Sequence, residues 1–242
     1  MQRSQIMING LSVLVVVPAR GGSKGIPLKN LRKVNGIPLV ASVGNIIKSI
    51  SEIDRSIVST DHEEIASVAE DAGIAAPFRR PKGLSGDRVG DVEVLTHALL
   101  EMEMIDGVTY DIIVMLQSTS PLRKAEHVSD TIQMLIDGAW DAVWTVSETD
   151  SKSHPLKQLI VNEDGLNYYD DNGAKIIARQ QLEPVYHRNG IAYAITRECL
   201  LDKKSIKGDK TGALVIKGEY ISIDTERDLD LVEFILFKEW RL

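Results

Sequence analysis

The chain has 242 residues, of which 43% are hydrophobic, and it carries a formal net charge of −7 and a single cysteine. This length suits one large α/β domain, and no stretch approaches the ~18 consecutive apolar residues of a membrane-spanning helix. The acidic charge argues against a general nucleic-acid-binding protein, and one cysteine excludes an internal disulfide or a multi-cysteine metal site. Residues 1–10 also lack the apolar core of a signal peptide, so we expect a cytoplasmic protein.

A buried strand followed by a basic, glycine-rich loop is the first predicted feature. Residues 13–17 form an unbroken apolar run, which is typical of a strand buried on both faces in a parallel sheet. Pro18 ends the run because proline has no N–H group for a sheet hydrogen bond. The glycines and cations that follow are Gly21, Gly22, Gly25, Arg20, Lys24, Lys29, Arg32 and Lys33. A loop of this kind after a central strand favours polyphosphate binding, although such charge runs are often only solvated surface.

Alternating helices and strands are predicted from Pro38 to Val146. The predicted helices run from Pro38 to about residue 50, from an Asp61 cap to Gly73, over 91–106, and up to Gly138. The predicted strands are 56–59, 110–117 and 142–146. This alternation predicts βαβ units, and therefore a Rossmann-like, doubly wound α/β fold with a mainly parallel sheet.

The sequence changes character over residues 148–190, which are polar and contain several turn signals. We interpret this stretch as a β-rich arm inserted within a single domain of residues 1–242; the alternative is an irregular surface excursion of that domain. Strands are predicted again at 190–196 and 219–223. A last helix is predicted over 225–240, with Thr225 as its cap and Asp228 at the third helical position.

Residues 21–25 (GGSKG) also match G-x-S-x-G, the nucleophile elbow of serine hydrolases. An elbow of that kind runs directly from a strand into a helix, whereas Pro27 and the irregular stretch after it interrupt any helix here. The late histidines that a catalytic triad needs, His154 and His187, fall in the arm. A serine esterase that uses Ser23 is therefore a remote alternative.

Transfer of a nucleotidyl group uses the same loop more fully. The backbone N–H groups of residues 21–23 can cradle phosphate oxygens, and Arg20 and Lys29 can neutralise the charge on a departing pyrophosphate. A divalent metal in such a site needs hard oxygen ligands, and Asp224 is the natural carboxylate for it. The alternative role of Asp224 is that of a helix-capping residue.

Longer motifs resemble those of one family. The run VVVPARGGSKGIPLKNL resembles the first motif of the CMP-sialic acid synthetases (N-acylneuraminate cytidylyltransferases), and more distantly that of the enzymes that activate 3-deoxy-manno-octulosonate. The later motifs that resemble the family, in its order, are STDHEEIA, PFRRP, LSGD, LQSTSPLR, HPLK, RQQL, RNGIAY and SIDTERDL. The resemblance covers nearly the whole chain.

The resemblance implies roles for residues in each motif. Arg20 and Lys29 would be catalytic and would contact the triphosphate of CTP. The nucleotide-binding residues that it implies are Ala19, Gly21, Gly22, Ser23, Asn30, Arg80 and Gln117. The sugar-binding residues that it implies are Gln117, Lys157, Arg179 and Tyr193, with the arm reaching across the interface of a homodimer. Asp224 would hold Mg²⁺.

Two positions depart from the family pattern. The metal motif of the family usually reads Asp-x-Asp, whereas here Ser222 takes the place of the first carboxylate. Asp91 stands where related sequences often carry a small hydroxyl residue. Without the resemblance, Lys157 and Arg179 are ordinary surface cations and Gln117 is only a polar residue at the end of a strand.

Together, these features predict a cytoplasmic, homodimeric, Mg²⁺-dependent cytidylyltransferase that joins CTP to a sialic-acid-like nine-carbon 2-keto sugar acid and releases pyrophosphate. We expect no nucleic-acid or membrane partner. The alternatives within the class are legionaminate, pseudaminate and 3-deoxy-manno-octulosonate as the sugar. Outside the class, the alternatives are the serine esterase and a non-catalytic sugar-nucleotide binder.

Overall fold

The computed structural model describes residue 8 and residues 10–239. The α-helices are α1 (Leu39–Ile47), α2 (Glu63–Asp71), α3 (Asp91–Asp106), α4 (Ala125–Gly138), α5 (Arg197–Leu201) and α6 (Glu226–Glu239). The strands are β1 (Val13–Pro18), β2 (Lys33–Val34), β3 (Ile37–Pro38), β4 (Arg55–Ser59), β5 (Ile112–Met115), β6 (Ala142–Glu148), β7 (Leu159–Asn162), β8 (Gly165–Tyr168), β9 (Tyr186–Thr196) and β10 (Thr211–Val215). The last residue of the predicted final helix, Trp240, lies outside the described residues.

Six strands form one central sheet in the order β10-β6-β9-β5-β1-β4. Strand β1 is parallel to both of its neighbours, β4 and β5, and β6 is parallel to β10. Only β9 runs antiparallel, between β5 and β6. The prediction of a mainly parallel α/β sheet is confirmed.

The core lies on both faces of β1, because side chains alternate along a strand and every residue of 13–17 is fully buried. Val13, Val15 and Val17 face the cluster that contains the buried stripes of α1, α2 and α4. Leu14 and Val16 face a second cluster that contains those of α3 and α5. Helices therefore cover both faces of the sheet, as the doubly wound prediction requires.

The predicted strand at 219–223 is wrong. These residues form an extended segment outside the sheet, and the edge position belongs to β10, which the sequence pattern did not reveal. Ile223 is buried in a third apolar cluster with Leu229 and Val232 of α6, and its N–H group donates to the carbonyl of Thr119 at 2.8 Å. The apolar residues of this segment thus pack against α6 instead of pairing in a ladder.

The predicted cap of α2 is also wrong, whereas the predicted cap of α6 is confirmed. His62 is the residue before α2, and Asp61 instead accepts a hydrogen bond from the Gly21 N–H at 2.9 Å. At α6, the N–H of Thr225 donates to Asp228 at 2.7 Å, and the N–H of Asp228 donates back to the Thr225 hydroxyl at 3.3 Å. The reciprocal pair satisfies two N–H groups that the helix itself leaves free.

The segment between β6 and β9 contains less β structure than predicted. Its regular part is the two-stranded hairpin of β7 and β8, and every residue of both strands is exposed. The rest consists of short 3₁₀ turns. No helix within residues 10–239 is both long enough and apolar enough to cross a membrane.

Candidate active site

A polar cavity lies where β1 and β5 end, since parallel strands bring the loops after them to one edge of the sheet. Its volume is about 560 Å³. Polar side chains dominate its lining, which includes Arg20, Ser23, Lys24, Lys29, Asn30, Arg80, Asp87, Asp91, Gln117, Ser118, Thr119, Ser222 and Asp224. Seven of these belong to the predicted set: Arg20, Ser23, Lys29, Asn30, Arg80, Gln117 and Asp224.

The loop after β1 is fixed by hydrogen bonds from its own residues and from the loop after β5. Asn30 lies in a 3₁₀ turn (Lys29–Leu31), and its amide donates to the Arg20 carbonyl at 2.9 Å. The Ser118 hydroxyl donates to the side-chain oxygen of Asn30. Asn30 is therefore a buried clamp between two loops, and it holds Arg20 and Lys29 at the cavity wall.

The predicted phosphate cradle is only partly present. Ala19 is buried, and neither Gly21 nor Gly22 lines the cavity. The N–H of Gly21 donates to Asp61, and that of Ser23 donates to the Gly21 carbonyl at 3.0 Å. The cavity therefore meets the loop through its three cations and through Ser23, Gly25 and Asn30.

Each cation of this loop that lines the cavity is paired with a carboxylate. Asp87 contacts both Arg20, at 2.9 Å, and Lys24, at 2.5 Å. The Lys24 ammonium, and then Arg20, lower the pKa of Asp87 below its ordinary value. Lys29 contacts Asp224 at 2.7 Å. An anionic ligand that reaches these cations must compete with two carboxylates.

Arg80 forms a more deeply buried part of the wall. Its guanidinium donates to the Ser59 carbonyl at 2.6 Å and more weakly to the Leu84 carbonyl at 3.4 Å, while its Nε atom has no hydrogen-bond partner. Burial lowers the pKa of Arg80 below the ordinary value, and the nearby Asp61 partly opposes this shift. A buried donor without a partner is the kind of group that a ligand satisfies.

Gln117 is held in place by an arginine that sequence reasoning missed. Arg123 is buried, and burial lowers its pKa to about 9. Its guanidinium donates to the carbonyls of Gln117 at 2.6 Å, Gly190 at 3.0 Å and Ile191 at 2.5 Å. Gly190 has φ +72°, and a Cβ there would lie 2.5 Å from the side-chain oxygen of Gln117. Arg123 lies in the LQSTSPLR motif and Gly190 in the RNGIAY motif, so membership of these motifs is the sequence feature that could have indicated a role for both residues.

Three of the predicted sugar-binding residues do not line the cavity of their own chain. Tyr193 is 1% exposed, and its hydroxyl accepts a hydrogen bond from the Gly190 N–H. Lys157 is exposed in the segment before β7. Arg179 lines a separate pocket of about 310 Å³ beside His154 and Glu183. Lys157 and Arg179 therefore do not meet Arg20 and Lys29 at this cavity within the described chain.

The oxygen groups near Asp224 fit a metal that is bound mainly through a substrate. Among the described residues, no group of three or more His, Cys, Asp or Glu side chains is arranged to hold a metal ion. One carboxylate does line the cavity at Asp224, and the hydroxyl of Ser222 lies beside it, donating to that of Thr119 at 3.2 Å. Mg²⁺ prefers oxygen ligands and usually binds through one or two carboxylates, water and substrate phosphates.

The surroundings of Ser23 do not support a nucleophile elbow. The first helical turn after Ser23 is the 3₁₀ turn at Lys29–Leu31, and α1 begins only at Leu39. The strand therefore does not pass through Ser23 directly into a helix, as an elbow requires.

Asp87 is the functional candidate that sequence reasoning missed most clearly. The LSGD motif contains it, but an aspartate in a polar loop carries no pattern that predicts an ion pair with a distant loop. Lys24 was noted only as one of several cations. Both residues acquire a role only when the fold brings residues 86–91 over the loop after β1.

Comparison with known proteins identifies the family of this chain. Residues 14–235 match a family model described as cytidylyltransferase. A CMP-N,N'-diacetyllegionaminic acid synthase of Legionella pneumophila is 31% identical over 235 residues, covering 93% of this chain and 97% of that protein. An N-acylneuraminate cytidylyltransferase of Streptococcus agalactiae is 29% identical over 232 residues, covering 95% of this chain and 54% of that protein. The solved structure of a CMP:2-keto-3-deoxy-manno-octonic acid synthetase complexed with CTP has a TM-score of 0.68 at 18% identity, covering 94% of this chain and 99% of that chain.

Proposed function

Because the chain belongs to the cytidylyltransferase family, we propose that it transfers the CMP group of CTP to a sialic-acid-like nine-carbon 2-keto sugar acid and releases pyrophosphate. The observation that carries the proposal is the cavity at the end of β1, where Arg20, Lys24 and Lys29 meet. Three cations around one cavity suit a triphosphate.

The reaction needs positioning and charge stabilisation more than covalent help from the protein. The anomeric hydroxyl of the sugar attacks the α-phosphorus of CTP, the bond from that phosphorus to the bridging oxygen breaks, and pyrophosphate leaves. Arg20 and Lys29 lie where they can stabilise the charge that builds on the leaving group. Asn30 acts indirectly, since it clamps the loop that carries both cations.

A divalent metal fits this proposal, with Asp224 as its protein carboxylate and Ser222 and Thr119 as nearby hydroxyls. When bound, Mg²⁺ neutralises phosphate charge and polarises the phosphorus centre. Lys29 contacts the Oδ1 atom of Asp224 at 2.7 Å. A carboxylate has two oxygens with several lone pairs, so Asp224 could hold a metal and remain close to Lys29.

The sugar acid is proposed to bind beside Gln117 and to be completed by the arm of a second copy. The support is chemical: Lys157 and Arg179 are exposed cations that suit an acidic sugar but do not line the cavity of their own chain. The hairpin of the arm also exposes apolar side chains, including Val161 at 82% and Leu166 at 67%. Burial of these side chains against a partner would stabilise a homodimer.

The sugar itself is proposed as a sialic-acid-like nonulosonic acid, with legionaminate, pseudaminate and 3-deoxy-manno-octulosonate as the alternatives. The test is a pyrophosphate-release assay with CTP and each of these acids in turn, with and without Mg²⁺. We expect release that requires CTP, one preferred nine-carbon acid and the metal. A protein that binds CTP but releases no pyrophosphate with any acid would be a silent binder, and ester hydrolysis that is lost in Ser23→Ala would indicate the esterase.

A further inference from the structure

Asp91, which lines the cavity, forms a charged pair with Arg188 that none of the roles above uses. Asp91 is the first residue of α3 and lines the cavity, while Arg188 lies near the start of β9. The Arg188 Nη1 atom is 3.9 Å from the Asp91 Oδ2 atom. That distance is too long for a direct hydrogen bond, so the two charges face each other across a gap.

One oxygen atom can bridge the pair. An oxygen at an ordinary hydrogen-bond distance of about 2.8 Å from both Oδ2 and Nη1 lies beside the line that joins these two atoms. A hydroxyl group there can donate its hydrogen to the carboxylate of Asp91 and accept one from the guanidinium of Arg188. An ammonium group lacks the acceptor, and a carboxylate would be repelled by Asp91.

An aromatic ring supports one member of the pair. The guanidinium of Arg188 lies 5.3 Å from the centre of the Trp144 ring, and that ring packs edge-on against Tyr193. The backbone of Asp91 is part of the first turn of α3. Both side chains stay accessible, since Arg188 is 50% and Asp91 33% exposed, so a ligand can reach both.

The carboxylate of Asp91 is open to a hydrogen-bond donor from the cavity. Its side chain is 33% exposed, and partial burial raises the pKa of Asp91 above its ordinary value, which Arg188 offsets only in part. No hydrogen bond to this carboxylate is present among the described residues, in contrast to Asp87 and Asp224. A donor on a ligand can therefore reach Asp91 without displacing a protein donor.

We propose that Asp91 and Arg188 together bind one hydroxyl group of a substrate and select for substrates that carry it. The inference rests on the proposed function, since the hydroxyl belongs either to the ribose of CTP or to the sugar acid. Both sources share the same chemistry. Asp91 is then a specificity-determining residue at the wall of the cavity.

The test compares hydroxylated and deoxy substrates with the protein and with Asp91→Asn. Pyrophosphate release is measured with CTP against 2'-deoxy- and 3'-deoxy-CTP, and with the preferred sugar acid against its monodeoxy analogues. We expect the unmodified protein to prefer one hydroxylated substrate by roughly ten- to a hundredfold in kcat/KM. In Asp91→Asn that one preference falls to within about threefold, and Arg188→Gln reduces the preference for the same hydroxyl.

Glu93→Gln is the matched control, because Glu93 is an exposed carboxylate in the same first turn of α3 and does not line the cavity. It removes the same charge from the helix terminus and should keep every preference.

If the lost preference is the one for CTP over a deoxy-CTP, the hydroxyl belongs to the ribose. If it is the one for the sugar acid over a monodeoxy analogue, the hydroxyl belongs to the sugar. If Asp91→Asn is folded and active but keeps all preferences, or loses rate equally with deoxy and hydroxylated substrates, the inference is wrong and the proposed function stands. If the unmodified protein releases no pyrophosphate with CTP, the proposed function fails and the inference fails with it.

Discussion

The guanidinium of Arg20 lies 2.9 Å from the carboxylate of Asp87, although the two residues belong to different loops of the cavity. The other carboxylate oxygen contacts Lys24 at 2.5 Å. Without a ligand, a single aspartate therefore occupies two of the cations that we assign to the triphosphate. Asp87 therefore competes with the anionic ligand for these two cations.

Replacing Asp87 by Asn should therefore tighten the binding of CTP and of pyrophosphate. The variant keeps the shape of the side chain but removes the charge that occupies Arg20 and Lys24. We expect the Kd of each ligand to fall by roughly three- to tenfold in titration calorimetry without metal. Asp209→Asn is the control, because Asp209 is an exposed carboxylate that pairs with Lys203 outside the cavity. Weaker binding in Asp87→Asn would contradict this role and would indicate that Asp87 itself supports the ligand.

Lys29→Ala should remove most of the pyrophosphate-releasing activity without unfolding the protein. Removing one preorganised cation from a developing charge typically costs on the order of 10²–10³ in rate. The fold should survive because the Asp224 carboxylate that loses its partner is 73% exposed and stays solvated. Lys33→Ala, which changes an exposed lysine four residues away, should retain activity. Melting by circular dichroism checks the fold, and full turnover in Lys29→Ala would rule out the catalytic role of Lys29.

The arm should hold two chains together. Light scattering is expected to give twice the chain mass, and Val161→Asp should shift that mass towards the monomer because it places a charge on the most exposed apolar side chain of the hairpin. Met104→Asp is the control, since Met104 is also an exposed apolar residue but lies in α3. A strict monomer at micromolar concentration would exclude the dimer.

A mixture of two inactive variants tests whether the arm acts across the dimer. In a mixed dimer of Lys29→Ala and Arg179→Ala chains, one cavity combines an intact loop with an intact partner arm. Mixing the two variants after unfolding and refolding should therefore restore part of the activity. If Arg179 serves the cavity of its own chain, every cavity in the mixture carries one defect and no activity returns.

Asp141 makes the stability of the loop before β10 depend on pH. The Lys203 ammonium, together with the backbone N–H groups of Lys210 and Asp209, lowers the pKa of Asp141 from 3.8 to about 2. When folding lowers the pKa of a carboxyl group, the folded state is stabilised at pH values above the pKa of that group in the unfolded state. This stabilisation is lost as the pH falls through the pKa in the folded state. Asp141→Asn should therefore lower the free energy of unfolding at pH 7, and the difference should shrink between about pH 4 and pH 2. Urea unfolding at pH 7 and near pH 3 measures this, with Asp202→Asn as the exposed control; a difference that does not change with pH would contradict it.

The parts of the fold that could be predicted are those determined by local pattern. The unbroken apolar run at 13–17 predicts a strand buried on both faces, and each of its residues is fully buried. The Thr225 and Asp228 cap is confirmed because both partners lie within one turn. Asp61 has the same kind of signal at α2, but the Gly21 N–H, forty residues away in sequence, takes its carboxylate instead.

The parts that could not be predicted depend on contacts between distant residues. The apolar segment at 219–223 has the pattern of a strand. In the structure β10 is the edge strand of the sheet, and the segment packs on α6 instead. Most cationic and polar residues that line the cavity follow from the motifs. The carboxylates that occupy the cations do not, since Asp87 becomes a partner of Arg20 only through the fold.

The pairing of Lys29 with Asp224 joins positions 195 residues apart, and Arg32 and Glu226 join the same two regions. During synthesis on the ribosome, the basic loop therefore emerges 195 residues before the aspartate that faces it. Until residues 224–226 have been made, CTP has no complete cavity to bind and cannot stabilise the growing chain by mass action. The strands of the central sheet all precede residue 216, so the sheet must rely on its own packing during that interval.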